Sequence, residues 1–398
     1  MSVSSPPLVS IIIPTCNRSE YIYSVIKNIL SHLNDVEIIV SDNSTTNQLK
    51  DGLAEYIYSG KIIYEYIEQE VSVVENFERA VAKATGEFVT CLGDDDSIGP
   101  GFNSVVNWAL KHNIDAVYSY SHRFIANYFW PGVQSKYFAD NYQARLFIKS
   151  YTGKVEKIST QSSLKEAAAK LGSGLGQMPR LYHGLVRRVL LNQIRSKYGS
   201  IFGGVSPDIY SAVLITIEAK KVYRIDAPFI LPGGSPKSTA GLGAARADRS
   251  DLFSVDHIRR FGPNLKWSSL IPSYYSPHNV WAYSMLCALQ TACINNININ
   301  FFGLVLKNLL SDRSYFKENI ISLRQVYQIQ NFILIIFNIF LSIINEVKSI
   351  TLRIYWRFFM KTIVFSNLNT IGDAFIALNE YEKNNNFKLS KKLDDYVL

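Results

Sequence analysis

Apolar and polar residues come in alternating blocks over the first 120 positions, and the block lengths predict strands separated by helices. Residues 8–13 are a short run rich in β-branched side chains that ends at Pro14, the pattern of a strand buried on both faces. Residues 21–33 carry apolar side chains at helical spacing. Residues 36–40 and 61–66 predict the second and third strands, and the polar turn Ser41-Asp42-Asn43-Ser44 closes the second. Residues 73–84 predict a helix. Residues 88–92 predict a fourth strand that runs straight into Gly93-Asp94-Asp95-Asp96. A helix over 100–111 and a strand over 115–120 follow. This alternation implies βαβ units and a mostly parallel sheet. Ligands of such sheets bind beyond the carboxyl ends of the strands. Three polar clusters, at Thr15 to Arg18, Asp42 to Ser44 and Asp94 to Asp96, are therefore expected to face one crevice.

The pattern weakens between residues 137 and 179, where only a helical piece over 164–170 stands out. A strand over 181–186, a helix over 189–196 and a strand over 222–225 come next. A helix over 207–220 has Ser206 as its expected N-cap and Pro207 at its first position. Residues 233–241 (Gly-Gly-Ser-Pro-Lys-Ser-Thr-Ala-Gly) predict a flexible polar loop. From about residue 250 the character changes to helices. Residues 329–347 are strongly apolar but interrupted by Gln330, Asn331, Asn338 and Asn345. Residues 348–361 mix basic side chains with Tyr355, Trp356, Phe358 and Phe359.

Composition narrows the class. With 47% hydrophobic and 19% charged residues in 398, the chain is globular, not disordered. The net charge of +8 points to phosphorylated substrates or anionic lipid. No nucleic-acid module is recognisable, so no nucleic-acid partner is expected. Four cysteines without zinc-ligand spacing read as reduced thiols. The first residues lack a signal-peptide pattern, so a cytoplasmic location is expected.

Three adjacent aspartates after a buried strand repel one another and resist desolvation. A divalent cation, Mn²⁺ or Mg²⁺, resolves both problems when it bridges carboxylates to phosphates; a solvated turn capping the next helix is the alternative. The ordered set of segments around them resembles family 2 glycosyltransferases. Val9 to Arg18 resembles the opening of that family, and Val40 to Ser44 its second strand and acidic turn. Glu75-Asn76-Phe77 through Phe88 resembles the donor-side helix and following strand, and Leu92 to Asp96 its metal-binding motif.

The resemblance implies a GT-A fold, with a Rossmann-like, mostly parallel sheet and a helical C-terminal region. Residues 1–245 would form the catalytic domain, with a donor half (1–120) and an acceptor half (121–245); residues 246–398 would be mainly helical. It also implies an inverting transferase that moves a sugar from a nucleotide-diphosphate donor, a UDP-sugar in the first instance, to a glycan or lipid-linked glycan in surface polysaccharide assembly. Pro14, Thr15, Asn17, Arg18, Asp42, Asn76, Asp94 and Asp95 would line the nucleotide pocket. Asp96 and Asp94 would hold the metal. His183 and Gly184 would lie in the acceptor cleft, where glycine allows close approach. Asp208 would be the catalytic base, although Pro207 stands where the family usually has an acid. The alternative is that Asp208 merely serves the helix dipole. Two rivals remain: a non-catalytic partner with this fold, and a nucleotidyltransferase, which the absence of a glycine-rich loop after residue 13 disfavours.

The 13-residue apolar core at 332–344 is too short to span a bilayer. Extended to 329–347 it reaches 19 residues, but with four amides and Glu346, so a single span is an alternative that the sequence does not favour. The favoured readings are that it lies on the cytosolic face of the inner membrane with Arg353, Arg357 and Lys361, or that it packs within the protein or a homo-oligomer.

Overall fold

The computed structural model describes residues 7–119, 125–136, 139–245, 249–311, 313–359 and 361–396. Tyr120, at the end of one expected strand, and the polar residues 1–6 lie outside that set. The first part alternates as expected: β1 (Val9–Thr15), α1 (Ser19–His32), β2 (Val36–Asp42), the short α2 (Gln48–Gly52) and α3 (Ala54–Tyr58), β3 (Ile62–Tyr66), α4 (Val73–Ala82), β4 (Phe88–Cys91), β5 (Ser97–Ile98), α5 (Phe102–Lys111) and β6 (Ala116–Ser119). Then come β7 (Ala126–Phe129), β8 (Arg145–Lys149), β9 (Val155–Lys157), α6 (Thr160–Ala169), β10 (Gly184–Arg187), α7 (Arg188–Tyr198), α8 (Pro207–Glu218), β11 (Val222–Ile225), β12 (Ile230–Leu231), β13 (Gly233–Gly234) and α9 (Thr239–Ala245). The remainder is helical except for one strand: α10 (Asp256–Arg259), α11 (Pro277–Thr291), α12 (Phe301–Ser311), α13 (Phe316–Ile329), α14 (Phe332–Phe359), β14 (Thr362–Phe365), α15 (Ile371–Asn384) and α16 (Leu389–Asp394).

Eight strands form the central sheet in the order β3-β2-β1-β4-β10-β6-β11-β9. β1, β2, β3 and β4 are mutually parallel, as are β6 and β11; β10 and β9 run against their neighbours. The chain thus has the mostly parallel GT-A-type sheet. β1 takes a central place because Val9, Ile11, Ile12 and Ile13 are apolar on both faces, and all four are buried. Its Pro14 lies beyond the ladder to β4, which ends at Ile12↔Cys91, so no bond to β4 is lost. One core packs α1, α5, α15 and α16 on one face of the sheet. The other packs α4, α6, α7, α8 and α11 on the opposite face.

Three features depart from the sequence pattern. The region after residue 125 supplies a second sheet, β13-β7-β8-β14, too short-stranded to show a period. Residues 233–241 are not a free loop: Gly233 and Gly234 pair with Tyr128 and Phe129, and both are buried. The C-terminal end does not stay with the helical region. β14 pairs antiparallel with β8, α15 packs on α1 with Phe375 against His32 at 4.0 Å between ring centroids, and Leu389 of α16 lies over Gly101. A capping box, Thr370 with Asp373, fixes the start of α15.

α15 also carries Glu382, 8% exposed, whose carboxylate accepts from the Tyr151 hydroxyl at 3.0 Å. Burial pushes this carboxyl up to about 7, against the opposing pull of the Tyr151 hydrogen bond. The fold therefore favours the protonated acid. That contribution is complete below the ordinary glutamate range and is lost as the pH rises through about 7. Glu382→Gln is expected to raise the melting temperature at pH 8 and leave it nearly unchanged at pH 5. Equal shifts at both values would show that Glu382 is already ionised in the fold.

Candidate active site

The parallel register places Thr15 beside Asp42, and the Asn43 backbone N–H donates to the Thr15 carbonyl at 3.0 Å. From β4, Asp94 accepts from the Thr15 hydroxyl at 2.6 Å. The three polar clusters therefore do meet at the carboxyl tips of β1, β2 and β4.

The acidic triplet is buried, with Asp94, Asp95 and Asp96 each no more than 3% exposed. Each carboxylate is held differently. Asp94 receives Thr15 on Oδ2 and the Arg18 guanidinium on Oδ1. Asp95 shares Arg18 at 2.8 Å through Oδ1, and its Oδ2 accepts from the Ser235 backbone N–H at 2.9 Å and the Ser235 hydroxyl at 2.6 Å. Asp96 receives the Gly233 N–H at 2.8 Å on Oδ1. Its Oδ2 takes the Gly93 N–H at 2.7 Å and the Tyr182 hydroxyl at 2.9 Å, and lies 2.6 Å from His183 Nε2.

The electrostatics divide the triplet. Burial pushes Asp94 and Asp95 upward, and Arg18 only partly offsets it. Asp96 is also penalised by burial, but His183 and the Gly233 and Gly93 amides more than compensate and hold it below the usual range. Arg18 shows the reverse balance: burial opposes its charge, yet Asp94 and Asp95 raise its pKa above the ordinary value.

Hard carboxylate oxygens suit a divalent cation chemically. The arrangement does not. All six oxygens already accept from the protein, and among the described residues no group of three or more His, Cys, Asp or Glu side chains is arranged to hold a metal ion. Arg18 stands on Asp94 and Asp95 as the counter-cation.

The other expected site residues fall into two groups. Asp42 is fully buried, accepting from the Ser44 N–H at 2.9 Å and the Tyr64 hydroxyl at 2.8 Å. Asn17, exposed and at φ 57°, accepts from Thr45 through its side chain. Pro14 is partly exposed at the end of β1. Asn76 is buried and ties α4 to the strands, accepting from Ser41 at 2.6 Å. Gly184 does not open a cleft: a Cβ there would stand 2.2 Å from the Arg180 carbonyl, so glycine is needed for packing. His183 adopts φ 61°, a conformation uncommon outside glycine, and this aims its ring at Asp96.

Asp208 opens α8. Ser206 does not cap the backbone as expected; its hydroxyl donates to Asp208 Oδ1, which also accepts from the Ile209 N–H at 2.9 Å. The charge of Asp208 acts on both Arg180 and His257. Residues 180–184 thus join the two acidic centres, with Arg180 facing Asp208 and Tyr182 and His183 holding Asp96.

Sequence reasoning missed four contributors. Trp130 donates its indole N–H to the Asp95 carbonyl at 2.9 Å, and Tyr182 and Ser235 grip the triplet directly. Arg260 reaches over the tips of β1 and β2 and donates to Asn43 Oδ1 at 3.0 Å. The Gly-Gly-Ser run at 233 and the Arg259-Arg260 pair were the available signals.

A buried acidic cluster thus sits at the carboxyl tips of a mostly parallel sheet. Residues 10–170 match the model of glycosyl transferase family 2. Among curated proteins it is 30% identical over 117 residues to abequosyltransferase RfbV of Salmonella typhimurium, covering 27% of this chain and 34% of that one. It is 33% identical over 98 residues to the GalNAc(5)-diNAcBac-PP-undecaprenol beta-1,3-glucosyltransferase of Campylobacter jejuni, covering 24% and 32%. The matched segments span about a third of the length of these relatives. Among solved structures, S. aureus TarS 1–349 aligns with a TM-score of 0.43 at 14% identity, covering 81% of this chain and 92% of that chain. The same fragment in complex with UDP-GlcNAc gives 0.41 at 15% identity, covering 60% and 61%.

Removing one partner of a buried ion pair leaves an uncompensated charge. Arg18→Met is expected to lower stability by about 3–5 kcal/mol in urea unfolding. Added Mn²⁺ is expected to restore part of the loss, because the carboxylates are then open to it. Unfolding at the wild-type urea concentration would show that the triplet does not depend on Arg18.

Proposed function

We propose that this chain is an inverting glycosyltransferase that uses a nucleotide-diphosphate sugar, and that its acceptor is a hydroxyl of a growing surface glycan. The observation that carries this reading is the convergence of Thr15, Asp42 and the Asp94–Asp96 triplet at three neighbouring strand tips, within the segment that matches the family. A depression lined by Glu65, Tyr66, Ile67, Glu68, Gln69 and Arg79 lies at the same edge, beside Asn43, and supports a nucleoside site there. The names of both curated relatives describe glycosyl transfer, and one acts on an undecaprenol-linked chain. These support a polysaccharide acceptor, lipid-linked in the second case.

In the proposed step, Asp208 accepts the proton of the acceptor hydroxyl. The hydroxyl oxygen bonds to the anomeric carbon as the bond from that carbon to the diphosphate oxygen breaks. The electron pair leaves with the diphosphate, and a single attack inverts the configuration. Asp208 suits this role because its Oδ2 receives no protein donor among the described residues. Arg18 stands at the mouth of the site with one-fifth of its side chain exposed, placed to meet the donor's phosphates. The expected Mn²⁺ or Mg²⁺ belongs to this reading only with Arg18 displaced from Asp94 and Asp95, and no step here uses it.

One observation favours a second reading. The closed triplet is what a non-catalytic member of a polysaccharide assembly complex would retain for stability. A panel of nucleotide-sugar donors, read by nucleotide release with and without Mn²⁺, separates the two. Turnover of at least one donor is expected; none across the panel, with the chain folded, would end the enzymatic reading. In the active case Asp208→Asn is expected to reduce transfer by about 10²–10⁴-fold while leaving donor binding nearly unchanged. Full turnover in that variant would remove Asp208 from the chemistry.

A further inference from the structure

The 28-residue α14 has its polarity turned inside out. Its inward stripe runs through Ile335, Asn338 and Ser342, all buried, at the spacing of one helix face. Two of these three are polar, and they join an amide network. Asn298 donates to Asn338 Oδ1 at 2.9 Å, Asn300 donates to the Ser342 hydroxyl at 2.9 Å, and Ser342 donates to the Asn338 carbonyl at 2.6 Å. The outward faces are apolar. Ile333, Ile336, Phe337, Phe340, Ile343 and Val347 are all at least half exposed. A helix that packs by amides and shows isoleucine and phenylalanine to its surroundings is the reverse of a water-soluble surface helix.

Its length and apolarity over Phe332–Leu352 would allow a membrane crossing. The connections do not. At its start, the Gln330 side-chain amide, two residues before the helix, donates to the Ile299 carbonyl at 3.2 Å. At its other end, β14 begins only three residues later and pairs with β8. Both ends of a rod about 42 Å long are therefore tied to one globular body. A crossing helix would place those ends on opposite sides of the bilayer, and would bring its amide stripe and the body packed on it into hydrocarbon.

We infer that α14 lies in the plane of an anionic lipid surface, with its outward faces sunk into the acyl boundary and the globular body held against the headgroups. The occupant is lipid because the exposed faces cover more than one side of the helix along its length. The chain's excess of positive charge fits an anionic surface, and four basic residues, Lys348, Arg353, Arg357 and Lys361, fall in its last turns and just beyond. This goes beyond the transfer reading and stands without it.

The test is flotation of the full chain with preformed phosphatidylcholine vesicles, with and without phosphatidylglycerol. Binding is expected with the anionic vesicles. The triple variant Ile336→Glu, Phe340→Glu, Ile343→Glu changes only outward positions and is expected to lower the bound fraction by about tenfold. Circular dichroism of the variant should match the wild type, which separates lost contact from lost fold. Wild-type protein that stays at the bottom with anionic vesicles would overturn the inference. So would a triple variant that is folded and still floats, or a wild-type dimer in light scattering that the triple substitution dissolves and that does not bind vesicles. Failure of vesicle binding leaves donor turnover intact, so the two readings fail separately.

Discussion

Three carboxylates share the tip of one buried strand, and the surrounding structure is arranged around making that tolerable. Two of them are pushed toward the protonated form by burial; the third is kept ionised by His183 and two backbone amides. Compensation comes from every direction: Thr15 and Arg18 from β1, Tyr182 and His183 from the approach to β10, Gly233 and Ser235 from the crossing strand, and Trp130 from the end of β7. The cluster therefore fixes the relative positions of segments more than 200 residues apart in sequence. A missing Cβ at Gly233 is part of the same constraint, since a side chain there would stand 1.7 Å from the Asp95 carbonyl.

This makes the site rigid in a particular sense. Each carboxylate oxygen already has a donor within the chain, so any ligand that engages the carboxylates competes with the protein's own donors. Differential affinity for the open arrangement is the only way a ligand can shift that balance. Arg18 is the natural exchange partner because its guanidinium spans two of the carboxylates, its side chain is one-fifth exposed, and its buried Nε makes no hydrogen bond.

The N-terminal half was legible because its strands are long enough and apolar enough to declare a period. The runs 8–13, 36–40 and 88–92 each fell within two residues of a strand. The site was legible as residue types, since strand-tip acids in a parallel sheet converge whatever their partners. Their partners were not. Nothing local marks Ser235 or Trp130 as neighbours of Asp95, because those contacts cross 140 and 35 positions and depend on packing of strands only two to five residues long. Asn76 and Gly184 were read as facing a ligand, yet an amide satisfied by Ser41 and a glycine crowded by Arg180 look the same in sequence as functional ones. The capping box of Thr370 and Asp373 marks the start of α15 but says nothing of its return to α1.

That return has a consequence for biosynthesis. The face of the sheet around α1 and α5 is completed by side chains such as Phe375, Leu378, Leu389 and Leu393, which leave the ribosome after everything they cover. The nascent chain must therefore carry an unfinished core while α14, with its oily exterior, has already emerged. Lipid contact would precede closure of the body, and a nearby bilayer would then act as a scaffold on which the last elements dock.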